Sequence, residues 1–524
     1  MANYNIESLN KNLVRIDNSI RRLRTDVPTL IGSLGRVHGT NSTAPALNDG
    51  TNTQVLTRTV HRTGRAGASN IQIGLANFRL SGSSSSTSTH FGEQISETTQ
   101  LSAGAGGTGT GTGTTFAGGP VTYRVAIELL DGTVIQGYFN GVDNTIIPYG
   151  GPVVFCDPIG IYIPANTEFY VRTWATVSGV NIAIAGSQTV SSGAVSGKQI
   201  ARKSTDFSTQ FLVAGQPTGT TSVQLPPIAI IGIVDQEQLS VTYAGDSIGD
   251  GTGDIATDLP HGTTSFIGRA LVNVNGYDIP HTKMTRGGET MTALATDIYG
   301  WRRRGLIANS TLFINEGGTN DINSGVSLDT IKANYQKLWK AAKATGAKVL
   351  QTTILPRVTL PTGTYNQTGS TTVTVTMTGH GLSIGQTIGA IPTSGTATYI
   401  VSTVASVTDA NTFTYVSGTA LTTSGNITIA ASNRQTPQTN FETGVSSMRN
   451  QINAWLKTQV SSNPDLDYLV DVASAVEGTG ALAGLWADPA NDTQDGTHPE
   501  TAAHIRMSLL LKPYIERLDA EITS

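Results

Sequence analysis

The sequence predicts a multidomain chain: an N-terminal coiled-coil helix, an all-β sandwich, and a three-layer α/β domain that carries a small all-β insertion. Three observations predict this layout. A seven-residue apolar repeat fills the start of the chain, and short runs of alternating apolar and polar residues follow it. From about residue 237, strand-like and helix-like segments alternate, with one β-only interruption.

The helix comes first. Ile6, Leu9, Leu13, Ile16, Ile20, Leu23 and Val27 recur at alternating steps of three and four, behind Asn5 as N-cap. So narrow a stripe buries itself best against copies of itself, so residues 1–35 are expected to oligomerise through 6–27. Mixed Ile and Leu along the seam is compatible with a dimer or a trimer, the trimer being favoured. Pro28 ends the helix, and Leu30 and Leu34 keep the phase into a second short helix. Residues 36–65 are polar and irregular and read as a linker.

Residues 66–236 read as the sandwich. "TYRVAIEL" alternates Tyr123, Val125, Ile127 and Leu129 on one face, and Asp131-Gly132 turns the chain into "TVIQGYF". Two further strands lie in "GIYIPANTEFYVRTWATV", and the glycine run 104–115 cannot build a core. A sandwich of this kind either binds sugars or acts as a spacer.

Residues 237–360 and 433–524 carry the α/β domain. The strand "LSVTYAG" opens it, and "STLFIN", "KVLQTTIL" and "DYLVDVA" follow, separated by amphipathic helices. One helix is capped by Ser327 and closed by Gly346, and the last runs from about Glu500 to Glu521. Such alternation implies a parallel sheet covered on both faces, with ligands at the C-terminal strand ends. Residues 361–432, rich in Thr and Val, are an inserted β module at that rim.

Composition narrows the function. Charged residues are 13% of the chain and the net charge is −4 without a basic block, which argues against a nucleic-acid partner. Cys156 is the only cysteine, so an intramolecular disulfide and a Cys-rich metal site are excluded. No apolar run is long enough to span a bilayer, so no membrane insertion is expected. The opening "MANYNIESLN" lacks the pattern of a signal peptide. A chain acting outside a cell would then arrive by lysis or on a particle.

The chemistry gathers at the predicted strand ends. There lie Gly245-Asp246-Ser247, then Arg286-Gly287-Gly288-Glu289, then Gly318-Thr319-Asn320-Asp321, and finally Asp495-Gly496-Thr497-His498. Ester hydrolysis needs a hydroxyl, an imidazole to take its proton, a carboxylate to orient the imidazole, and donors for an oxyanion. Backbone N–H groups of Ser247 and Gly288 and the amide of Asn320 could supply those donors.

These four blocks resemble the SGNH, or GDSL, hydrolases, a family of flavodoxin-like three-layer architecture. The resemblance implies Ser247 as nucleophile, His498 as base and Asp495 as its orienter. It implies Ser247, Gly288 and Asn320 as the oxyanion hole, with Gly287 an alternative to Gly288 because the asparagine that usually opens this block is absent. No cofactor or metal is implied. His261, His281, His380 and His504 read as structural or surface residues, and Asp250 and Asp254 as helix caps. Trp301 to Arg304 read as a solvated helix face, and Trp486 as a packing residue or a sugar-stacking one.

Few aromatics (6%) and a polar insert favour removal of O-acetyl groups from a bacterial surface polysaccharide, O-antigen or capsule, over lipid hydrolysis. The layout is also similar to that of phage tail spikes and tail fibres. That similarity implies a virion-borne trimer attached through its N-terminus and acting at the host surface. The alternatives are a lectin-like tail protein with an inactive esterase fold and a general carboxylesterase or lipase.

Overall fold

The computed structural model describes residues 28–32, 52–77, 79–81, 92–94, 101–102, 115–118, 120–148, 150–177, 182–183, 198–221, 225–255, 259, 264–296 and 300–523. The heptad seam over 6–27, the glycine run up to residue 114, and His261 lie outside the described residues.

Two antiparallel sheets form the sandwich. One runs Thr29–Leu30, Ala229–Val234, Ala68–Leu75, Val154–Phe155, with Ile159–Ile163 also paired to Ala68–Leu75. The other runs Thr145–Ile147, Val121–Glu128, Glu168–Thr176, Gln54–Arg62, Ile200–Ser204, Thr220–Thr221, with Val134–Gly137 on the outer side of Val121–Glu128. Val55, Ile73, Val125, Ile127, Val171 and Ile230 fill the space between them.

Two expectations fail here. Residues 54–62 are not linker but a central strand, paired with Glu168–Thr176 over nine residues. Its residues 55–61 are all buried, because its second face is covered by Phe207 and Phe211 around Leu56 and Trp174. Burial on both faces removes the alternation that marks a half-exposed strand. Leu30 likewise starts no helix; Thr29–Leu30 is a short edge strand, and Leu30 and Ile31 are buried.

Among the described residues, the α/β domain holds five parallel strands: β1 (Val241–Ala244), β2 (His281–Lys283), β3 (Leu312–Asn315), β4 (Lys348–Thr352) and β5 (Tyr468–Val470). Their order is 2-1-3-4-5. Helices Leu328–Ala344 and Met448–Ser462 cover one face; Ser265–Ala270 and Thr501–Thr523 cover the other. Ile331, Tyr335, the adjacent Leu338 and Trp339, and Ala342 recur every three to four residues as the buried side of Leu328–Ala344, and the Ser327 side chain caps its start.

The sandwich and the α/β domain share a core. Leu30, Ala76, Ile228 and Ile231 belong to the same buried cluster as Met284, Leu306, Ile307 and Phe313. Polar contacts reinforce it: Thr282 Oγ1 donates to the Ile228 carbonyl at 2.6 Å, and Arg302 Nε to the Gly151 carbonyl at 3.0 Å. The insert has its own core, including Val373, Val375, Phe413, Ile427 and Ile429. It stands on a neck of two paired segments, Val358–Thr359 and Thr436–Pro437.

The Trp301–Arg304 helix is not a solvated face. Trp301 is exposed, but Arg303 is completely buried, with Nη1 2.8 Å from Glu289 Oε2 and 3.1 Å from the Met284 carbonyl. Removing one partner of such a pair strands the other charge, at a cost of about 3–5 kcal/mol. Arg303→Met is therefore expected to lower the urea unfolding midpoint strongly, whereas Trp301→Ala leaves it almost unchanged. Equal midpoints for the two variants would return Arg303 to the surface.

Candidate active site

From Val241 to Gly249 every residue is buried except Ser247. The apolar alternation that makes β1 ends at Ala244, and Asp246 caps a one-turn helix, Ser247–Asp250, by accepting the Ile248 N–H at 2.9 Å. This turn is what brings the Ser247 hydroxyl to solvent at the strand's C-terminal end.

Two hundred and fifty-one residues later in the chain, His498 meets it: Nε2 lies 2.8 Å from Ser247 Oγ. On the other side of the ring, Nδ1 lies 2.6 Å from Asp495 Oδ2. Asp495 Oδ1 accepts the N–H groups of Thr497 and His498, each at 2.8 Å, so the carboxylate organises its own loop.

Burial disfavours the charged forms of both groups, but their mutual contact prevails. The Asp495 carboxyl is held down to about 2 by His498 and by the Thr497 and His498 N–H groups. The His498 imidazole is raised above its ordinary value by Asp495, with Asp246 assisting and the Arg357 cation opposing. Half of the Asp495 side chain remains exposed, so solvent screens part of this coupling.

The glycine block is a four-residue turn closed by the Glu289 N–H on the Arg286 carbonyl at 3.0 Å, with Gly288 at φ +79°. The Arg286 N–H donates to the Gly245 carbonyl at 3.1 Å, which ties this turn to the Ser247 loop. A methyl group at Gly287 would sit 3.9 Å from Ser247 Cβ, so the turn borders the hydroxyl directly. Asn320 Nδ2 donates to the Glu289 carbonyl at 3.0 Å, and Asp321 accepts the Met291 and Thr292 N–H groups at 2.7 and 3.0 Å. The third block thus holds the second in place, and all four blocks meet at one sheet edge.

Three residues are more involved than the sequence suggested. Trp486 stacks on no sugar: it is fully buried, and its Nε1 donates to the Gly496 carbonyl at 3.1 Å. The Val358 N–H donates to that same carbonyl at 2.9 Å, so the His498 loop hangs on two anchors. Arg357, next to this anchor, supplies a positive charge felt by Asp246 and Asp495. Its position after Pro356, in the loop that follows β4, was the available signal. Glu316, the residue after β3, is buried beneath Ser247 and accepts the N–H groups of Asp246 and Gly249.

The remaining candidates are structural. His504 is buried and accepts the Phe266 N–H at 3.1 Å, burial pushing its imidazole down to about 4. His380 accepts the Leu382 N–H at 3.0 Å within the insert, and His281 lies on β2 with Nδ1 2.8 Å from the Ile279 carbonyl. Asp254 accepts the first N–H of Ser265–Ala270 and pairs with Arg269, while Asp250 pairs with the buried Lys283. Among the described residues, no group of three or more His, Cys, Asp or Glu is arranged to hold a metal ion.

Residues 243–375 match the model of the GDSL-like lipase/acylhydrolase family, so the α/β domain is a GDSL-type acylhydrolase domain. The match ends inside the insert; Asp495 and His498 lie beyond it. No curated protein matches the sequence. Among solved structures, the chain is similar to a GDSL-like lipase from Bacteroides thetaiotaomicron, at 13% identity over 53% of this chain and 88% of that one, with a TM-score of 0.27. It is also similar to a catalytic mutant of an acetylxylan esterase from Geobacillus stearothermophilus, at 13% identity over 53% and 94%, with a TM-score of 0.30. A carbohydrate esterase of family 3 from Talaromyces cellulolyticus aligns at 13% identity over 54% and 99%, with a TM-score of 0.29.

Gly496 is a sharp test of the loop. Its φ of +79° favours glycine, and an added methyl would stand 2.1 Å from the Val358 carbonyl oxygen. Gly496→Ala is expected to cost about 1–3 kcal/mol of stability. Displacement of His498 should lower kcat by about tenfold or more. A variant with wild-type kcat would show that the imidazole does not depend on this anchor.

Proposed function

We propose that the GDSL-type domain is a serine esterase that removes O-acetyl groups from a polysaccharide, with Ser247 as nucleophile, His498 as general base and Asp495 as its orienter. The observation that carries this reading is the continuous hydrogen-bonded chain from Asp495 through His498 to Ser247.

In this mechanism, Ser247 Oγ attacks the acetyl carbonyl carbon while His498 Nε2 takes the hydroxyl proton. The negative charge that develops on the carbonyl oxygen is received by the N–H groups of Ser247 and Gly288 and by the second amide hydrogen of Asn320. The imidazolium, stabilised by Asp495, gives its proton to the departing sugar oxygen as the C–O bond breaks, releasing it as a hydroxyl. Water then attacks the acetyl-serine with His498 again as base, and acetate leaves.

A polar substrate suits the rim. Segment Thr387–Pro392 of the insert packs on helix Pro489–Asp492, and Tyr399 Oη donates to the Ala490 carbonyl at 2.5 Å, a few residues before Asp495. The insert's long strands, Thr362–Thr376 and Thr412–Ala430, expose mostly Thr, Ser and Asn. A groove for long acyl chains would call for apolar cover instead.

Ser247→Ala should abolish acetate release from acetylated polysaccharides, lowering kcat by at least about 10³-fold while the folded state persists. Glycan binding by the wild type without any acetate release would favour the lectin-like alternative. The pH profile gives a second test. A base must be neutral to act, and the His498 imidazole is raised, so the acidic limb of kcat/KM is expected above the ordinary histidine value of about 6.5. Asp495→Asn removes the charge that raises it. The limb should then move to lower pH while kcat falls by about 10²–10⁴-fold. An unmoved limb would mean that another group titrates.

A further inference from the structure

We propose that Glu316 is a positioning residue for Ser247: a buried carboxyl wedged under the nucleophile turn that holds the hydroxyl within reach of His498. This inference rests on the esterase reading above.

The geometry carries it. One oxygen, Oε2, accepts the Asp246 N–H at 3.0 Å and the Gly249 N–H at 3.1 Å, the two amides that straddle Ser247. The same oxygen explains why both ends of "GDSIG" are glycine. A methyl at Gly245 would stand 2.2 Å from Oε2, and one at Gly249 2.7 Å from it. Neither glycine has a positive φ, so space rather than backbone conformation demands them. Glu316 directly follows β3, and its own N–H donates to the Ala244 carbonyl at 2.8 Å. At the next residue, Tyr335 Oη donates to the Gly317 carbonyl at 2.6 Å, so the backbone carrying the wedge is itself held.

Burial, with the Asp246 carboxylate beside it, keeps the proton on Glu316 well above the usual carboxyl range. One oxygen accepts both N–H groups, so an amide oxygen in the same place suffices for the task and glutamine can replace it.

The experiment compares Glu316→Gln, which keeps an acceptor oxygen, with Glu316→Met, which keeps the volume and loses it. Three quantities are read: kcat and KM on p-nitrophenyl acetate per titrated active site, the rate of Ser247 phosphonylation by a fluorophosphonate, and the thermal midpoint. Glu316→Met is expected to lose about 100-fold in kcat and in phosphonylation rate, with KM within about twofold. Glu316→Gln should stay within about threefold of wild type in both rates. A methionine variant as fast per site as wild type overturns the proposal, and so does a glutamine variant as slow as the methionine one.

Should Glu316→Met not fold, Gly245→Ala tests the same wedge, because its methyl must push Oε2 away from both amides. Loss of kcat there supports the role, and full activity overturns it. Failure of the esterase reading is distinguishable: in that case the wild type itself shows no Ser247-dependent hydrolysis.

Discussion

The contact between His498 Nε2 and Ser247 Oγ is the constraint on which the rest of the α/β domain depends. It closes a loop of 251 residues, including a complete β module, to within 2.8 Å. Neither side chain could hold that position alone. Ser247 sits on a turn whose neighbours are all buried, and His498 sits on a loop tied at one carbonyl to both Val358 and Trp486. The sheet fixes the distance between the two because β1 and β4 are separated only by β3. A packed core leaves such elements little freedom to drift, so precision at the site is inherited from the layers beneath it.

Beneath the hydroxyl the domain concentrates acid. Asp246 and Glu316 are both buried, and burial shifts both upward, Asp246 to about 6. Asp321 adds a third buried carboxyl, spent on the N–H groups of the next helix. Arg357 is the cation on the other side of the account, close enough to act on Asp246, Asp495 and His498 together. The imidazole therefore sits in a field that favours its protonated form, which is the form a general base reaches at the tetrahedral stage.

How far all this was legible depended on whether burial left a pattern. Residues 121–124 alternate between buried and half-buried positions, and Leu328–Ala344 shows its stripe because its outer side is wet. Gln54–Arg62 is buried on both faces and passed for linker. Strand β2 reads His-Thr-Lys, with no apolar residue to announce it; it becomes a strand only because β1 offers an edge and Lys283 finds Asp250. The four chemical blocks were readable because turns and polar residues cluster where strands end. Their supports were not: Trp486 and Arg303 act through partners on other loops, Gly496 and Glu289, and Glu316 through Asp246 and Gly249 on a different strand end. Nothing local to them distinguishes a buried ion pair from a solvated charge, or a wedge from a surface acid.

The shared core of the sandwich and the α/β domain has a consequence for dissection of the chain. Ile228, Ala229 and Ile231 reach the cluster that also holds Leu306, Ile307 and Phe313. A fragment beginning near residue 237 would expose that seam to water and trade a quiet enzyme for a sticky one. The catalytic half is better regarded as a tenant of the sandwich than as a detachable cartridge, and shortened versions meant to be handled alone should begin upstream of Thr29.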